Sequence, residues 1–219
     1  MERILSGWIP PTRAAIMSSI DMVSLTFDNG PDPDVTPRVL DALKARDIQA
    51  TFFVVGAELA RHRALAERAH AEGHWIGNHT YSHAKPFGRQ DARTAREEIE
   101  RTQELIGDLA HPDRLFRPMG DGGKLDANLF SPAALETLQA GGYSVVLWDR
   151  VPRDWEDPGG WVETALQQAG DVLVLHDIAT GAMDQLERFL DSGLAFTRDL
   201  SPCMPIRRGE LVGSLEGLC

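Results

Sequence analysis

Short apolar runs bounded by turn residues alternate along this chain with longer stretches in which apolar side chains recur every three or four positions. The runs Met22 to Phe27, Ala50 to Val55, Trp75 to Gly77, Leu115 to Phe116, Tyr143 to Trp148 and Val172 to Leu175 predict strands, with a weaker seventh at Leu194 to Phe196. Most are rich in the β-branched and aromatic residues that pack on a pleated surface. Between them, Thr36 to Ala45, Glu58 to Glu72, Gln90 to Leu109, Pro132 to Ala140, Trp161 to Ala169 and Met183 to Leu190 carry helical periodicity. Thr36-Pro37 and Ser131-Pro132 suit an N-cap followed by a first-turn proline, and Gly73, Gly141 and Gly170 suit helix stops. Strand and helix in alternation predict an α/β fold with a mostly parallel sheet, and six or seven such units predict a closed or nearly closed barrel. In that architecture the chemistry sits at the carboxyl ends of the strands.

Composition narrows the picture. A chain of 219 residues, 42% hydrophobic and 25% charged, predicts one globular domain over residues 1–219 and excludes disorder. A formal net charge of −11 disfavours nucleic acid and anionic membrane surfaces as partners. Pro10, Pro11 and Arg13 interrupt the only apolar stretch between Met1 and Ile20, and no run approaches the roughly 18 apolar residues of a membrane span, so a cytoplasmic protein is expected. Cys203 and Cys219 read as two free thiols, with a bridge between them as the alternative. No repeat or heptad pattern marks an assembly scaffold.

Candidate chemistry lies just beyond the predicted strands. Asp28-Asn29-Gly30-Pro31 follows the first; taken alone these are turn formers. His79 and His83 follow the third, and one helical turn between them would put both imidazoles on a shared divalent metal, although such pairs are often merely solvated. His62, His70, His74 and His111 read as surface residues. Arg117 ends the fourth strand, where its guanidinium could hold a carboxylate bidentately or make a surface ion pair. After the fifth, Asp154 could hold a cation or a histidine, and an aromatic such as Trp155 could line a pocket. His176 closes the sixth, where a perturbed pKa is expected, its alternative being a structural histidine.

In this order and spacing, the motifs around Thr26-Phe27-Asp28-Asn29-Gly30-Pro31, His79 and His83, Phe116-Arg117-Pro118, Asp154-Trp155 and Leu175-His176 resemble those of the NodB-homology polysaccharide deacetylases, carbohydrate esterase family 4. The resemblance covers about residues 22–190 and leaves 191–219 as a carboxyl-terminal extension packed on the barrel. It implies a distorted (β/α) barrel that hydrolyses carbon–nitrogen amide bonds, removing acetyl from an N-acylated oligosaccharide or small molecule with a divalent metal of the Zn²⁺ type. Residue by residue, it makes Asp28 the general base acting on metal-bound water, Arg117 the residue that orients Asp28, and His176 the general acid. His79, His83 and Asn29 become metal ligands. Trp155 and Leu175 would line the acyl pocket, with Pro118, Met119, Gly120 and Asp154 nearby and a backbone N–H after Pro118 at the oxyanion.

Three positions depart from the family pattern. Asn29 stands where the resemblance implies a ligand aspartate, which removes one negative charge from the metal site. Met119-Gly120-Asp121-Gly122-Gly123 replaces a Pro-Tyr-Gly run. Val151 stands where an aspartate tuning His176 is expected, and Asp149 is the candidate substitute. Two alternatives follow: a catalytically weakened carbohydrate- or amide-binding homologue, and a metal-independent hydrolase of cyclic amides on the same barrel.

Overall fold

The computed structural model of the protein describes residues 22–84, 87–120 and 122–218. The segment Met1 to Ile20, read above for an export signal, and Cys219 both lie outside the described residues.

Six parallel strands form the barrel wall: β1 (Met22–Asp28), β2 (Thr51–Val54), β3 (Trp75–Asn78), β4 (Leu115–Phe116), β5 (Ser144–Val145) and β6 (Val172–His176). They pair in sequence order, and β6 returns to β1 with Asp28 opposite His176. The gap between β5 and β6 is spanned past the end of β5, where Arg150 bridges Leu173 and the Val174 N–H donates to the Arg150 carbonyl at 3.0 Å. Only two residues of the predicted strand Tyr143 to Trp148 are therefore regular. The rest bends, its Leu147 N–H donating to the Cys203 carbonyl at 2.7 Å.

Helices α1 (Thr36–Lys44), α2 (Gly56–Ala71), α3 (Ala92–Ile106), α4 (Pro132–Ala140), α5 (Trp161–Gln167) and α6 (Leu186–Leu190) follow the strands in turn. Alternation along β1 explains the packing: Val23, Leu25 and Phe27 join the apolar layer shared with Val39, Leu40 and Trp161, whereas Ser24, Thr26 and Asp28 occupy the other face. A separate cluster joins Phe53 of β2, Leu115 of β4 and Val172 of β6 with Val146, just past β5. Asp91 caps α3 by accepting from the Arg93 and Thr94 N–H groups, both at 3.0 Å. Ser131 caps α4 through the Ala134 N–H at 3.3 Å, as its Ser-Pro pair predicts.

Four expectations change. Thr36 is the first residue of α1 and not its cap; its hydroxyl accepts from the Asp32 N–H at 2.8 Å and donates to Asp177 Oδ2 at 2.5 Å, because the turn at Asp32 already satisfies the preceding N–H groups. Helix α2 is broken at His62, where φ is −128°. His74 is buried, and Nδ1 accepts from the Ala50 N–H at 3.1 Å; burial pulls its pKa to about 4, so it is a neutral structural histidine. The segment beyond residue 190 also does more than pack on the barrel. Its strand β7 (Ala195–Thr197), the weak seventh strand expected at Leu194 to Phe196, pairs in parallel with the first residues of β1. An unforeseen antiparallel hairpin, β8 (Ile206–Arg207) and β9 (Glu210–Leu211), extends the sheet from β5. Strands of two residues with mixed polarity carry no periodicity to read. Among the described residues no helix is long and apolar enough to cross a membrane.

Candidate active site

The carboxyl ends of β1, β3, β4 and β6 converge on one mouth. Thr26 and Asp28 share a face of β1, and Arg117, one residue beyond β4, reaches both: Nη1 donates to Thr26 Oγ1 at 2.7 Å and to Asp28 Oδ1 at 2.8 Å. Its Nε and Nη2 donate to the Val146 and Leu147 carbonyls at 3.3 and 3.2 Å, and its guanidinium carbon lies 4.1 Å from the centre of the Phe53 ring. Arg117 is 0% exposed, which rules out the surface ion pair, and in so dry a setting a charge persists only when its donors are satisfied. Burial pushes the Asp28 carboxyl up, but the charge and hydrogen bond of Arg117, with the charge of His176, outweigh that and hold it below the ordinary range, as a carboxylate.

His79 and His83 do converge, their ring centroids 4.9 Å apart, though not through a helical turn. Residues 79–84 are an irregular loop in which Thr80 and His83 have φ of 65° and 52°, and that left-handed backbone turns the second imidazole back toward the first. His79 Nδ1 donates to the Arg117 carbonyl at 2.9 Å, leaving Nε2 as the lone-pair nitrogen, 3.7 Å from Asp28 Oδ2. Burial lowers the pKa of both imidazoles; at His83, with the neighbouring His79 adding to it, the value is about 3. Both are neutral bases. Asn29, at φ 77°, has a buried Oδ1 with no hydrogen-bond donor.

His176 is held by Asp154 twice, Nδ1 donating to Oδ1 at 2.8 Å and the backbone N–H to Oδ2 at 3.0 Å. Burial pulls the imidazole down, yet the bond to Asp154 and the charges of Asp154, Asp28 and Asp177 raise it above the usual histidine value. The Trp155 ring stands edge-on to it, centroids 4.7 Å apart. The carboxylate expected at position 151 is thus not missing, because Asp154 fills that role. Asp149 does not: it is exposed, and it accepts from the Asp171 and Val172 N–H groups at 3.0 and 2.8 Å.

Asp28, Asn29, His79, His83 and His176 line a cavity of about 300 Å³ together with Pro118, Met119, Gly120 and Trp155, while Arg117 stands behind Asp28. Two residues expected there are elsewhere. Leu175 is fully buried in the layer between strands and helices, since alternation along β6 sends Val174 and His176 into the cavity and Leu175 out of it. Asp154, 0% exposed, lies behind His176 and does not line the cavity. Motif reading also missed Val174 and Ile178 and took Val151 only as an absent carboxylate, whereas the three give the cavity an apolar wall. Val151 packs beneath the glycine-rich loop, where a Cβ on Gly123 would come within 2.9 Å of it, and Trp148 Nε1 donates to the Gly123 carbonyl at 2.8 Å. Two buried carboxylates escaped notice as well, Asp177 behind Gly30 and Glu98 on α3. The one available signal for Glu98 was a charge on the buried stripe Ala95, Ile99, Thr102 and Ile106.

Among the described residues no three His, Cys, Asp or Glu side chains gather as a metal cluster. The donors on hand are two neutral imidazoles and one amide oxygen. That set fits a divalent cation of the Zn²⁺ type, since imidazole nitrogen and carbonyl oxygen both ligate such ions and the orphaned Asn29 Oδ1 is an acceptor in need of a partner.

A profile of the polysaccharide deacetylase family matches residues 17–143. A peptidoglycan N-acetylglucosamine deacetylase of Bacillus cereus is 34% identical over 164 residues, which are 71% of this chain and 72% of the relative. A chitooligosaccharide deacetylase of Sinorhizobium fredii is 35% identical over 161 residues, 71% of each. The structure of the peptidoglycan deacetylase PdaC of Bacillus subtilis superposes with a TM-score of 0.65 at 31% identity, covering 84% of this chain and 91% of that one.

Proposed function

This chain belongs to the polysaccharide deacetylase family, and on that premise we propose that it hydrolyses the N-acyl group of an N-acetylated amino sugar, in an oligosaccharide or a small N-acyl compound. The observation that carries the reading is an ionised base beside a carboxylate-held acid at one cavity: Asp28 and His176 occupy paired positions on the neighbouring strands β1 and β6.

Asp28 Oδ1 is engaged by Arg117, so Oδ2 is the oxygen that takes a proton from attacking water. Asp154 occupies Nδ1 of His176 and keeps the ring protonated to higher pH, so Nε2–H is the group that delivers a proton to the amine as the carbon–nitrogen bond breaks. Trp155 fixes the ring from the side, and the apolar wall of Val151, Val174 and Ile178 excludes water from the acyl end of the substrate. His79, His83 and Asn29 would hold the divalent ion, which when bound lowers the pKa of water and polarises the amide carbonyl. Acetate and a free amine are the products.

The test is turnover of N-acetylated chitooligosaccharide by protein loaded with one equivalent of Zn²⁺, followed by release of acetate. Acetate release that stops on addition of a chelator and returns with Zn²⁺ supports the reading; release unaffected by the chelator supports the metal-independent alternative. The neutral Asn29 favours a second reading, a weakened homologue that binds the sugar without cleaving it. Hydrolysis that appears only in Asn29→Asp would establish that reading.

A further inference from the structure

The loop that carries both imidazoles is held from two sides by residues that belong to none of the motifs. From below, the first N–H groups of α2 donate to it, Gly56 to the Thr80 carbonyl and Ala57 to the Tyr81 carbonyl, both at 2.9 Å. Such N–H groups have no partner within their own helix, so the loop is the acceptor that completes the helix start. From the side, Glu98 of α3 receives three hydrogen bonds: Oε2 from the Tyr81 and Ser82 N–H groups at 2.8 and 2.7 Å, and Oε1 from the Ser82 hydroxyl at 2.8 Å. All three donors lie between His79 and His83. Glu98 is only 9% exposed. A carboxylate that gives up most of its hydration on an apolar stripe is retained where its bonds hold something in place. One turn further on, the Arg101 guanidinium carbon lies 3.5 Å from the centre of the Tyr81 ring. The approach of α2 is equally constrained: a Cβ on Gly56 would overlap the Thr102 hydroxyl and come within 2.7 Å of the Tyr81 ring.

We propose that Glu98 is a positioning residue of the metal site, holding the 79–84 loop in the left-handed conformation that presents His79 and His83 to one divalent cation. The inference rests on the metal-ligand reading above and extends it to a side chain fifteen positions downstream of His83. With only neutral donors in the site, pre-organisation of the two imidazoles carries more of the affinity than it would beside a ligand carboxylate. Outer partners of metal ligands typically contribute about 10- to 100-fold to affinity.

The experiment measures Zn²⁺ affinity of the full chain by competition with a chromophoric chelator, and the visible spectrum of the Co²⁺-loaded protein, for wild type, Glu98→Gln, Glu98→Ala and Glu100→Ala. Glu100 is exposed on the same helix, so its loss removes the same charge without touching the loop. Glu98→Ala should weaken Zn²⁺ binding at least tenfold, Glu98→Gln should fall between it and wild type, and Glu100→Ala should match wild type. At saturating Co²⁺ the Glu98→Gln bands should shift while the metal-free protein keeps its far-ultraviolet circular dichroism. If Glu98→Ala does not fold, the isosteric Glu98→Gln decides. Affinity within twofold of wild type in Glu98→Gln and Glu98→Ala overturns the proposal, as does an equal loss in Glu100→Ala or a wild type that binds neither ion. Failure of the deacetylase reading looks different: the affinity series holds, yet the Zn²⁺-loaded wild type releases no acetate.

Discussion

Around Asp28, Arg117, Asp154 and His176 the buried charges face one another, whereas around Asn29, His79 and His83 the groups are neutral and one buried oxygen has no donor. The first half of the mouth is electrostatically complete. Arg117 makes four hydrogen bonds and Asp154 accepts two from His176. The second half takes its shape from backbone, a left-handed loop clamped by Gly56, Ala57 and Glu98. The difference teaches that Asp28 and His176 are set by charged side chains from other segments, while the imidazole pair is set by neighbours outside the motifs. The two halves should therefore fail differently when altered.

The largest effect is expected in the charged half. Asp28→Asn removes the base and leaves the Arg117 guanidinium buried without an anion, so acetate release should fall about a thousandfold and unfolding in urea should cost about 3–5 kcal/mol less. A variant that keeps its turnover would remove Asp28 from the mechanism.

Asp177 lies behind the neutral half, its carboxylate against Gly30 and its Oδ1 without a partner. Burial raises its pKa from 3.8 to about 7, against the opposing bond from Thr36. The folded chain therefore holds that proton between about pH 4 and 7 while the unfolded chain releases it. Stability from this group is full below pH 4 and lost as pH rises through 7, by at most about 4 kcal/mol. Asp177→Asn should remove that falling limb, read as the difference between wild type and variant in urea titrations at pH 4.5 and 8. Parallel pH dependences in the two proteins would contradict it.

Asp154→Asn tests the acid. Without the carboxylate charge the His176 pKa should drop, moving the alkaline limb of the rate profile to lower pH and reducing turnover at pH 8 by about a hundredfold. An unshifted limb would assign that limb to another group.

Asn29→Asp should have the smallest effect, tightening Zn²⁺ binding about tenfold by restoring one ligand charge. Calorimetric titration would detect it, and an unchanged affinity would exclude Asn29 as a ligand.

Much of the fold was legible along the chain. The runs ending near Asp28, Gly77, Phe116 and Leu175 became β1, β3, β4 and β6, because fully buried parallel strands are written as local apolar runs. Asp28, His79, Arg117 and His176 stood out because titratable residues directly after such runs must face the strand ends. What escaped were contacts between distant segments. The bond from Thr36 to Asp177 spans 141 residues, and Glu98 reaches back 17 and 16 residues to the Tyr81 and Ser82 N–H groups. The Arg117–Asp28 contact, 89 residues apart, was foreseen only through the family resemblance, and Asp154 was one of two carboxylates offered for His176. Leu175 was misplaced for a simpler reason, since alternation within a buried strand reveals its two faces but not which one meets the cavity.

By itself the sequence determined the order of strands and helices, the residues delivered to their ends and the neutral character of position 29, all of which depend on local periodicity and side-chain identity. Only the tertiary structure decided which carboxylate supports His176, that His79 and His83 meet through a left-handed loop instead of a helix, and that Glu98 stands behind them. Hydrogen bonds and desolvation depend on which atoms come within about 3 Å of each other, and between segments far apart in the chain that distance is set by how the barrel closes.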